Sequence, residues 1–204
     1  MPSSKKPNLD RIISLQEFFI AFGDIERVIH LKTSSGHVKE NDIEHSYSLA
    51  MTGWFLSQAF PHLNSSKIIR YALVHDIVEV YAGDTYVFAD QSELNSKKAR
   101  EAEALKRIRK EWRDFSEMLE AIDSYESMSD EESKFVYALD KIMPIILNVV
   151  SKGHTWHKEG ISLRQLHDVK KDKVKVSAEI SQYYDEIYGL LQKNPTWFPK
   201  RGKE

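Results

Sequence analysis

The segment His75-Asp-Ile-Val-Glu-Val-Tyr-Ala-Gly-Asp84 is the stretch that decides the fold. His75, Asp76 and Glu79 lie at helical spacing on a face whose earlier turns are apolar, which predicts a core-facing helix. Burying an imidazole and two carboxylates is costly unless they are paired or hold a metal. Gly83 is a typical residue just after a helix end. The segment therefore predicts a buried helix whose last turns carry a functional site.

Two other predicted helices each carry one ionisable side chain on an apolar face. His45 lies in the first turn of a helix that Asn41 and Glu44 can cap through a capping box. That helix is apolar on most faces, which predicts a central, buried position that includes Trp54. Asp140 interrupts the apolar stripe of a later helix. Taken singly, His45 fits a hydrogen-bonded core residue and Asp140 fits a buried salt-bridge partner.

Taken together, His45, His75, Asp76 and Asp140 form a set of two imidazoles and two carboxylates on three predicted helices. Such a set suits one divalent metal ion, namely Mn²⁺, Fe²⁺, Co²⁺, Ni²⁺ or Zn²⁺, and less naturally Mg²⁺. The spacing alone leaves open whether the four side chains converge.

The composition supports a soluble protein with this chemistry. The chain has 204 residues, of which 41% are hydrophobic and 29% charged, and this fits one globular domain. Cysteine is absent, which excludes disulfides, cysteine-ligated metals and cysteine nucleophiles. A net charge of −2 gives no overall electrostatic signature of nucleic-acid binding. No apolar run is long enough to cross a membrane, and we expect a cytoplasmic protein without nucleic-acid or membrane partners.

Helical spacing recurs along almost the whole chain, and glycine and proline are scarce. We predict an all-α fold of about six to eight helices in one domain over residues 9–193. Residues 1–8 are predicted to form a flexible arm and residues 194–204 a C-terminal tail. Residues 31–41 are polar and are predicted to form a loop, and residues 162–192 one more long helix that an interruption can divide.

Three stretches of the sequence together resemble the HD-domain metal-dependent phosphohydrolases, and within them the 5′-deoxynucleotidase-like subgroup. They are Glu44-His-Ser46, the segment 75–84, which is similar to the motif HDxxExxxGD, and Ser129–Lys141. The resemblance spans roughly residues 15–190. It implies an HD-type helical domain, commonly a homodimer, that uses one divalent metal to hydrolyse nucleoside 5′-monophosphates, typically of deoxynucleosides.

The resemblance also implies a role for each matching residue. Glu79 becomes the catalytic residue that positions or deprotonates the attacking water, and Asp84 becomes a substrate contact at the sugar. The alternative interpretations are a surface glutamate that pairs with a lysine for Glu79 and a turn or cap residue for Asp84. The implied metal ligands are His45, His75, Asp76 and Asp140.

The sequence departs from the subgroup at the position of a phosphate-contacting arginine, which His30 occupies here. Lys32 follows two residues later, and Arg27 precedes His30 by three residues. We expect His30 and Lys32 to contact the substrate, with Arg27 as a further candidate for the phosphate.

Two other functions remain open on the sequence alone. The chain could be a non-catalytic nucleotide or metal sensor, although a sensor does not need Glu79. It could also be a phosphodiesterase or alarmone hydrolase of the same superfamily. Two further histidine pairs are interpreted without a metal role: His154 and His157 in a loop that a tryptophan anchors, and His167-Asp168 on the solvated surface.

Overall fold

The computed structural model describes residues 6–200, and these residues are predominantly helical, which confirms the all-α prediction. The predicted arm over 1–8 and the tail over 194–204 lie in part outside the described residues. The elements are α1 (Leu9–Gly23), β1 (Glu26–Thr33), β2 (Gly36–Asn41), α2 (Asp42–Ser57), α3 (Ser65–Val74), α4 (Glu79–Ala82), α5 (Gln91–Glu111), α6 (Ser116–Ser127), α7 (Glu131–Val150), α8 (His154–Glu159), α9 (Leu163–Lys170) and α10 (Ala178–Lys193), with 3-10 turns at Val174–Val176 and Pro195–Trp197.

The core surrounds α7, which packs against α2, α3, α6 and α10. Its inward face is mainly apolar around Asp140, and Phe135, Leu139 and Ile142 are almost completely buried there. The helix continues through Pro144, so the Asp140 carbonyl receives no N–H from that residue. Among the described residues, no helix is both long enough and apolar enough to cross a membrane.

The prediction of a loop over residues 31–41 is wrong, because β1 and β2 form an antiparallel hairpin. Thr33 pairs with Gly36 at the turn, where Gly36 has a φ of 131° that favours glycine. Residues 32–39 are exposed, so the segment lacks the alternation of apolar and polar residues that signals a half-buried strand. The sequence did not predict the hairpin because no part of the fold covers either face of residues 32–39, so neither face had to be apolar.

The predicted helix ending at Gly83 is also divided. α3 ends at Val74, residues 75–78 form a turn, and α4 adds one further helical turn. The N–H of Glu79 donates to the carbonyl of Asp76 at 2.8 Å, which is a tighter turn than an α-helix makes. The chain therefore leaves regular helix where the apolar face gives way to charged groups. The long helix expected over 162–192 is likewise interrupted, between α9 and α10.

Residues 154–159 form the short helix α8, where a loop was predicted. Trp156 does anchor the segment, since it is buried and stacks on Phe198 at a ring separation of 4.5 Å. Gly153 precedes the helix with a φ of 81°, and a Cβ built there would lie 1.8 Å from the carbonyl oxygen of Trp197. This contact ties the last described turn of the chain to the end of α7.

We predict that Gly153→Ala lowers the free energy of unfolding by more than about 2 kcal/mol, because it adds a steric clash to an unfavourable left-handed conformation. Urea unfolding of the two proteins measures the difference. Gly160→Ala is the matched control: its φ is also positive, 68°, but nothing lies within 4 Å of its added Cβ. It should cost only about 1 kcal/mol. Equal losses in the two variants would show that the Trp197 contact is unimportant.

Candidate metal centre

Four side chains from three parts of the fold meet in the core. His45 is held one turn into α2, whose start is fixed by the predicted capping box between Asn41 and Glu44. His75 and Asp76 stand on the turn that follows α3, and Asp140 comes from the middle of α7. Each of the four offers one ligand atom, and these atoms all lie within 4.8 Å of one another. The structure thus brings together the four residues whose convergence the sequence left open.

The separations of these atoms fit the coordination shell of a divalent ion. His45 Nε2 lies 3.0 Å from Asp140 Oδ1, and His75 Nε2 lies 2.9 Å from Asp76 Oδ2. The cross distances are 3.9 Å from His45 Nε2 to Asp76 Oδ2 and 3.8 Å from His75 Nε2 to Asp140 Oδ1. Bonds of about 2.1 Å place adjacent ligands of an octahedral shell roughly 3 Å apart and opposite ligands roughly 4 Å apart. The observed range agrees with that shell.

The imidazole of His75 is oriented as a ligand. Its Nδ1 lies 2.8 Å from the carbonyl oxygen of Ala72, which accepts a hydrogen bond from this nitrogen, so that Nε2 is the nitrogen available to a metal. That Nε2 is buried, and its 2.9 Å contact with Asp76 Oδ2 lacks the geometry of a hydrogen bond. A buried nitrogen that faces two carboxylates without a hydrogen bond is what a metal site requires of its histidine.

A second layer of carboxylates and one arginine surrounds the four residues. Glu40 Oε1 lies 3.6 Å from His45 Nδ1, on the side of the ring away from the cluster. Arg27 Nη1 donates to Asp42 Oδ1 at 3.0 Å and to Asp76 Oδ2 at 2.9 Å. Asp42, Asp76 and Glu79 also offer oxygens close enough for a metal, but the guanidinium of Arg27 is the cation that neutralises them.

These contacts keep the metal-facing carboxylates ionised despite their burial. Burial raises the pKa of Asp76, but the charges of His75 and Arg27 outweigh it and hold that pKa well below its usual value. Burial likewise raises the pKa of Asp140, and Lys141 and His45 reverse the effect. Ionised oxygens are the form that binds a divalent cation.

The pKa of the His45 imidazole is shifted upward, opposite to the pKa values of the two aspartates. Burial and the Arg27 charge lower its pKa, but hydrogen bonding to Asp140 and Glu40 outweighs both and raises it to about 9. A metal binds an imidazole nitrogen that carries no proton, so metal affinity should fall as the pH is lowered.

Glu79 and Asp84 face a cavity of about 230 Å³ that also exposes Asp76 and Asp140. Glu79 is buried, and its Oε2 has no hydrogen-bond partner in the described part of the chain. Burial, together with the charges of Asp76 and Asp84, raises its pKa to about 11. Gly83 has a φ of 74° and turns the chain so that Asp84 follows directly on the cavity wall.

The structure places the other two predicted substrate contacts away from this cavity. His30 is buried in β1, where its Nδ1 lies 2.9 Å from the carbonyl oxygen of Val28 and its Nε2 lies 3.0 Å from Lys158 Nζ. Lys32 is exposed near the tip of the hairpin. Arg27, three residues before His30, is the basic residue of β1 that lines the cavity.

Sequence reasoning missed most of the basic wall of the cavity. Besides Arg27, that wall contains four lysines from α5, α7, α9 and the turn after α9. Lysines on amphipathic helices are ordinarily surface residues, so their spacing gave no signal of a shared cavity. The four are Lys97, Lys141, Lys170 and Lys173.

The remaining histidine pairs do not join the site. His157 Nε2 lies 3.0 Å from the carbonyl oxygen of Thr196, and His154 stacks on His37. His167 packs against tyrosines of α10, and Asp168 forms exposed ion pairs.

Comparison with known proteins agrees with the geometry. A family model described as HD domain matches residues 25–181. The human protein described as 5′-deoxynucleotidase HDDC2 is 30% identical over 178 residues, which cover 85% of this chain and 84% of the human one. The bovine protein of the same description is 31% identical over 137 residues, or 65% of each chain.

One solved structure shares the fold across nearly its full length. It is described as a predicted metal-dependent phosphohydrolase from Magnetospirillum magnetotacticum. The match has a TM-score of 0.76 and covers 95% of this chain and 99% of that chain, at 22% sequence identity.

We predict that Mn²⁺ or Co²⁺ raises the melting temperature of the metal-stripped protein by roughly 5 to 10 °C at saturating concentration, because the ion binds only the folded state. Asp140→Asn should abolish most of the shift, since a neutral amide replaces an ionised ligand. Asp168→Asn, in the exposed aspartate of the other His-Asp pair, is the control and should retain the shift. An equal shift in the Asp140 variant would exclude this site as the one occupied.

Proposed function

Because the chain belongs to the HD domain family, we propose that it is a metal-dependent phosphohydrolase that releases phosphate from nucleoside 5′-monophosphates, with deoxynucleosides preferred. The observation that carries this proposal is one cavity lined by Asp76 and Asp140 of the four-residue cluster, by Glu79 and by a wall of cations. The descriptions of the human and bovine relatives as 5′-deoxynucleotidases support the substrate class.

We assign the metal to His45, His75, Asp76 and Asp140. A divalent ion held there would supply Lewis acidity, which polarises a phosphoryl oxygen and lowers the pKa of a water molecule. The residues present select an ion that accepts nitrogen and oxygen ligands together, and the identity of that ion is left to experiment.

Glu79 is proposed as the residue that orients and deprotonates the attacking water. Its carboxyl group lies beside Asp76, whose charge is the largest electrostatic cause of its high pKa. Once the Asp76 charge is compensated, Glu79 ionises more readily and its buried Oε2 can accept a proton. The water oxygen then forms a bond to phosphorus while the ester bond to the 5′ oxygen breaks. The 5′ oxygen takes up the proton that Glu79 accepted from the water, which yields a nucleoside and inorganic phosphate.

We propose Arg27 and Lys97 as the contacts of the substrate phosphate, in place of His30 and Lys32. Both line the cavity, and their charges act on Asp76 and Glu79 beside it. Asp84 lies on the same wall and is proposed to bind a sugar hydroxyl. Its backbone position is fixed by Arg100, which donates to the carbonyl of Ala82 and, at 2.6 Å, to the hydroxyl of Thr85.

We further propose that the protein is a homodimer that buries an apolar face of α2. Contrary to the prediction, α2 is not buried on all sides: Tyr47, Trp54 and Phe55 are exposed by 64%, 48% and 71%. An apolar groove of about 440 Å³ continues this face between α1, α2 and α3. A contiguous exposed apolar surface of this kind is typical of a protein interface.

The cytoplasmic location remains a proposal from composition, chiefly the absence of cysteine.

We expect Glu79→Gln to bind metal normally and to lose phosphate release by about 10²-fold or more, the usual contribution of a general base. The assay is phosphate release from ribo- and deoxyribonucleoside 5′-monophosphates with Mn²⁺, Co²⁺, Mg²⁺ or Zn²⁺. Glu103→Gln, at a glutamate whose side chain is 77% exposed, is the control. Full activity of the Glu79 variant would defeat its proposed role. Nucleotide binding by the native protein without phosphate release would favour the sensor.

Sedimentation should show a dimer of the native chain and a monomer of the double variant Tyr47→Glu, Phe55→Glu, because charge is introduced where apolar surface is covered. Both side chains are exposed in the isolated chain, so the variant should keep its fold and its circular dichroism spectrum. Leu190→Glu, at an exposed apolar residue of α10, is the control and should stay dimeric. A dimer that survives the double variant would place the interface elsewhere.

A further inference from the structure

Two of the cavity lysines have no anionic partner. Lys170 ends α9 and is only 6% exposed, yet its ammonium group makes no hydrogen bond or ion pair with any residue between 6 and 200. Lys173, in the turn that follows, is half-buried and within the same range has no side-chain partner. Both line the cavity that holds the candidate metal centre. A lysine that is largely buried, lines a cavity and has no anionic partner is placed to bind an anionic ligand in that cavity.

The other three cations of the cavity are already paired. Arg27 donates to Asp76, Lys141 donates to Asp140, and Lys97 lies 3.3 Å from Glu101. Arg27 and Lys141 stand beside the metal-facing carboxylates, and Lys97 lies on α5. Lys170 and Lys173 come from a segment that supplies no proposed metal ligand. Their charges are therefore not used in the ion pairs around the proposed metal ligands.

The charges and the burial around Lys170 favour a bound anion. Burial lowers its pKa to about 7, and the positive charges of Lys141 and Lys173 add to that effect against the opposing charge of Asp140. Burial and Lys141 also lower the pKa of Lys173. Both effects, desolvation and repulsion between like charges, are relieved by an anion placed between the two ammonium groups.

On the basis of the proposed function, we propose that Lys170 and Lys173 form a second anion subsite, and that the preferred substrate is a nucleoside 5′-phosphate carrying a second phosphoryl group. The ligand class is a nucleotide with two separate anionic groups, one at the metal and one at the lysines. For a 3′,5′-bisphosphate, water attacks the 5′ phosphorus, the 5′ ester bond breaks, and the products are a nucleoside 3′-monophosphate and inorganic phosphate. The step needs no further reactant.

The test compares three substrates that share one base and sugar: deoxyadenosine 5′-monophosphate, 3′,5′-bisphosphate and 5′-diphosphate. Phosphate release gives kcat and KM for the native metal-loaded protein and for Lys170→Met, Lys173→Met and the double variant. Lys175→Met is the matched control, because its side chain is 66% exposed and pairs with Asp172. Methionine preserves the length of the apolar stem, so the buried variants should fold.

We expect one of the two-phosphate substrates to have a KM roughly tenfold or more below that of the monophosphate, the effect of one or two charge-assisted hydrogen bonds. The double variant should remove this preference and leave kcat for the monophosphate within about twofold, since the scissile phosphate keeps its own contacts. A lower KM for the 3′,5′-bisphosphate would place the second phosphoryl group on the sugar, and a lower KM for the 5′-diphosphate would place it on the first phosphate.

Equal KM values for all three substrates, or a preference that survives the double variant, would overturn the subsite. If no substrate releases phosphate with any metal, the proposed function fails. Calorimetric binding of the same three nucleotides then judges the subsite independently, because tighter binding of a two-phosphate nucleotide that depends on Lys170 and Lys173 does not require turnover.

Discussion

The structure depends on keeping two carboxylates ionised inside an otherwise apolar helical core. Asp76 and Asp140 face each other across His45 and His75, on segments that would pack through leucine and isoleucine in an ordinary helical domain. Their charge is tolerated because imidazoles, Arg27 and Lys141 surround them. Replacing one member leaves an uncompensated charge, so the core and the site cannot vary independently.

This constraint explains the local irregularities of the backbone. The regular helix α3 ends at Val74, and the two residues that follow it, His75 and Asp76, both direct ligand atoms to one point. The positive φ of Gly83 then returns the chain to the cavity at Asp84. Function is thus carried by the segment that breaks the helical pattern.

The hairpin serves the same electrostatic purpose. β1 carries Arg27 inward to Asp42 and Asp76. β2 carries Glu40 behind His45, and its last residue, Asn41, forms the capping box that begins α2. Residues 32–39 of the hairpin are exposed. The part nearest the core supplies the cation, Arg27, and the carboxylate, Glu40, that contact the metal-facing residues. Arg27 and Asp76, and likewise Glu40 and His45, depend on each other for charge compensation, although Arg27 and Asp76 are far apart in the sequence.

The sequence by itself determined the helical class, the capping of α2 and the identity of the four clustered side chains, because helical periodicity and costly buried charges are local signals. Only the tertiary structure decided that Arg27, not His30, reaches the cavity, that Trp54 is exposed, and that Lys170 and Lys173 share a wall with Asp140. Those facts depend on which face each element turns toward its neighbours. Long-range packing determines which face is buried, and the sequence of a single helix or strand does not specify it.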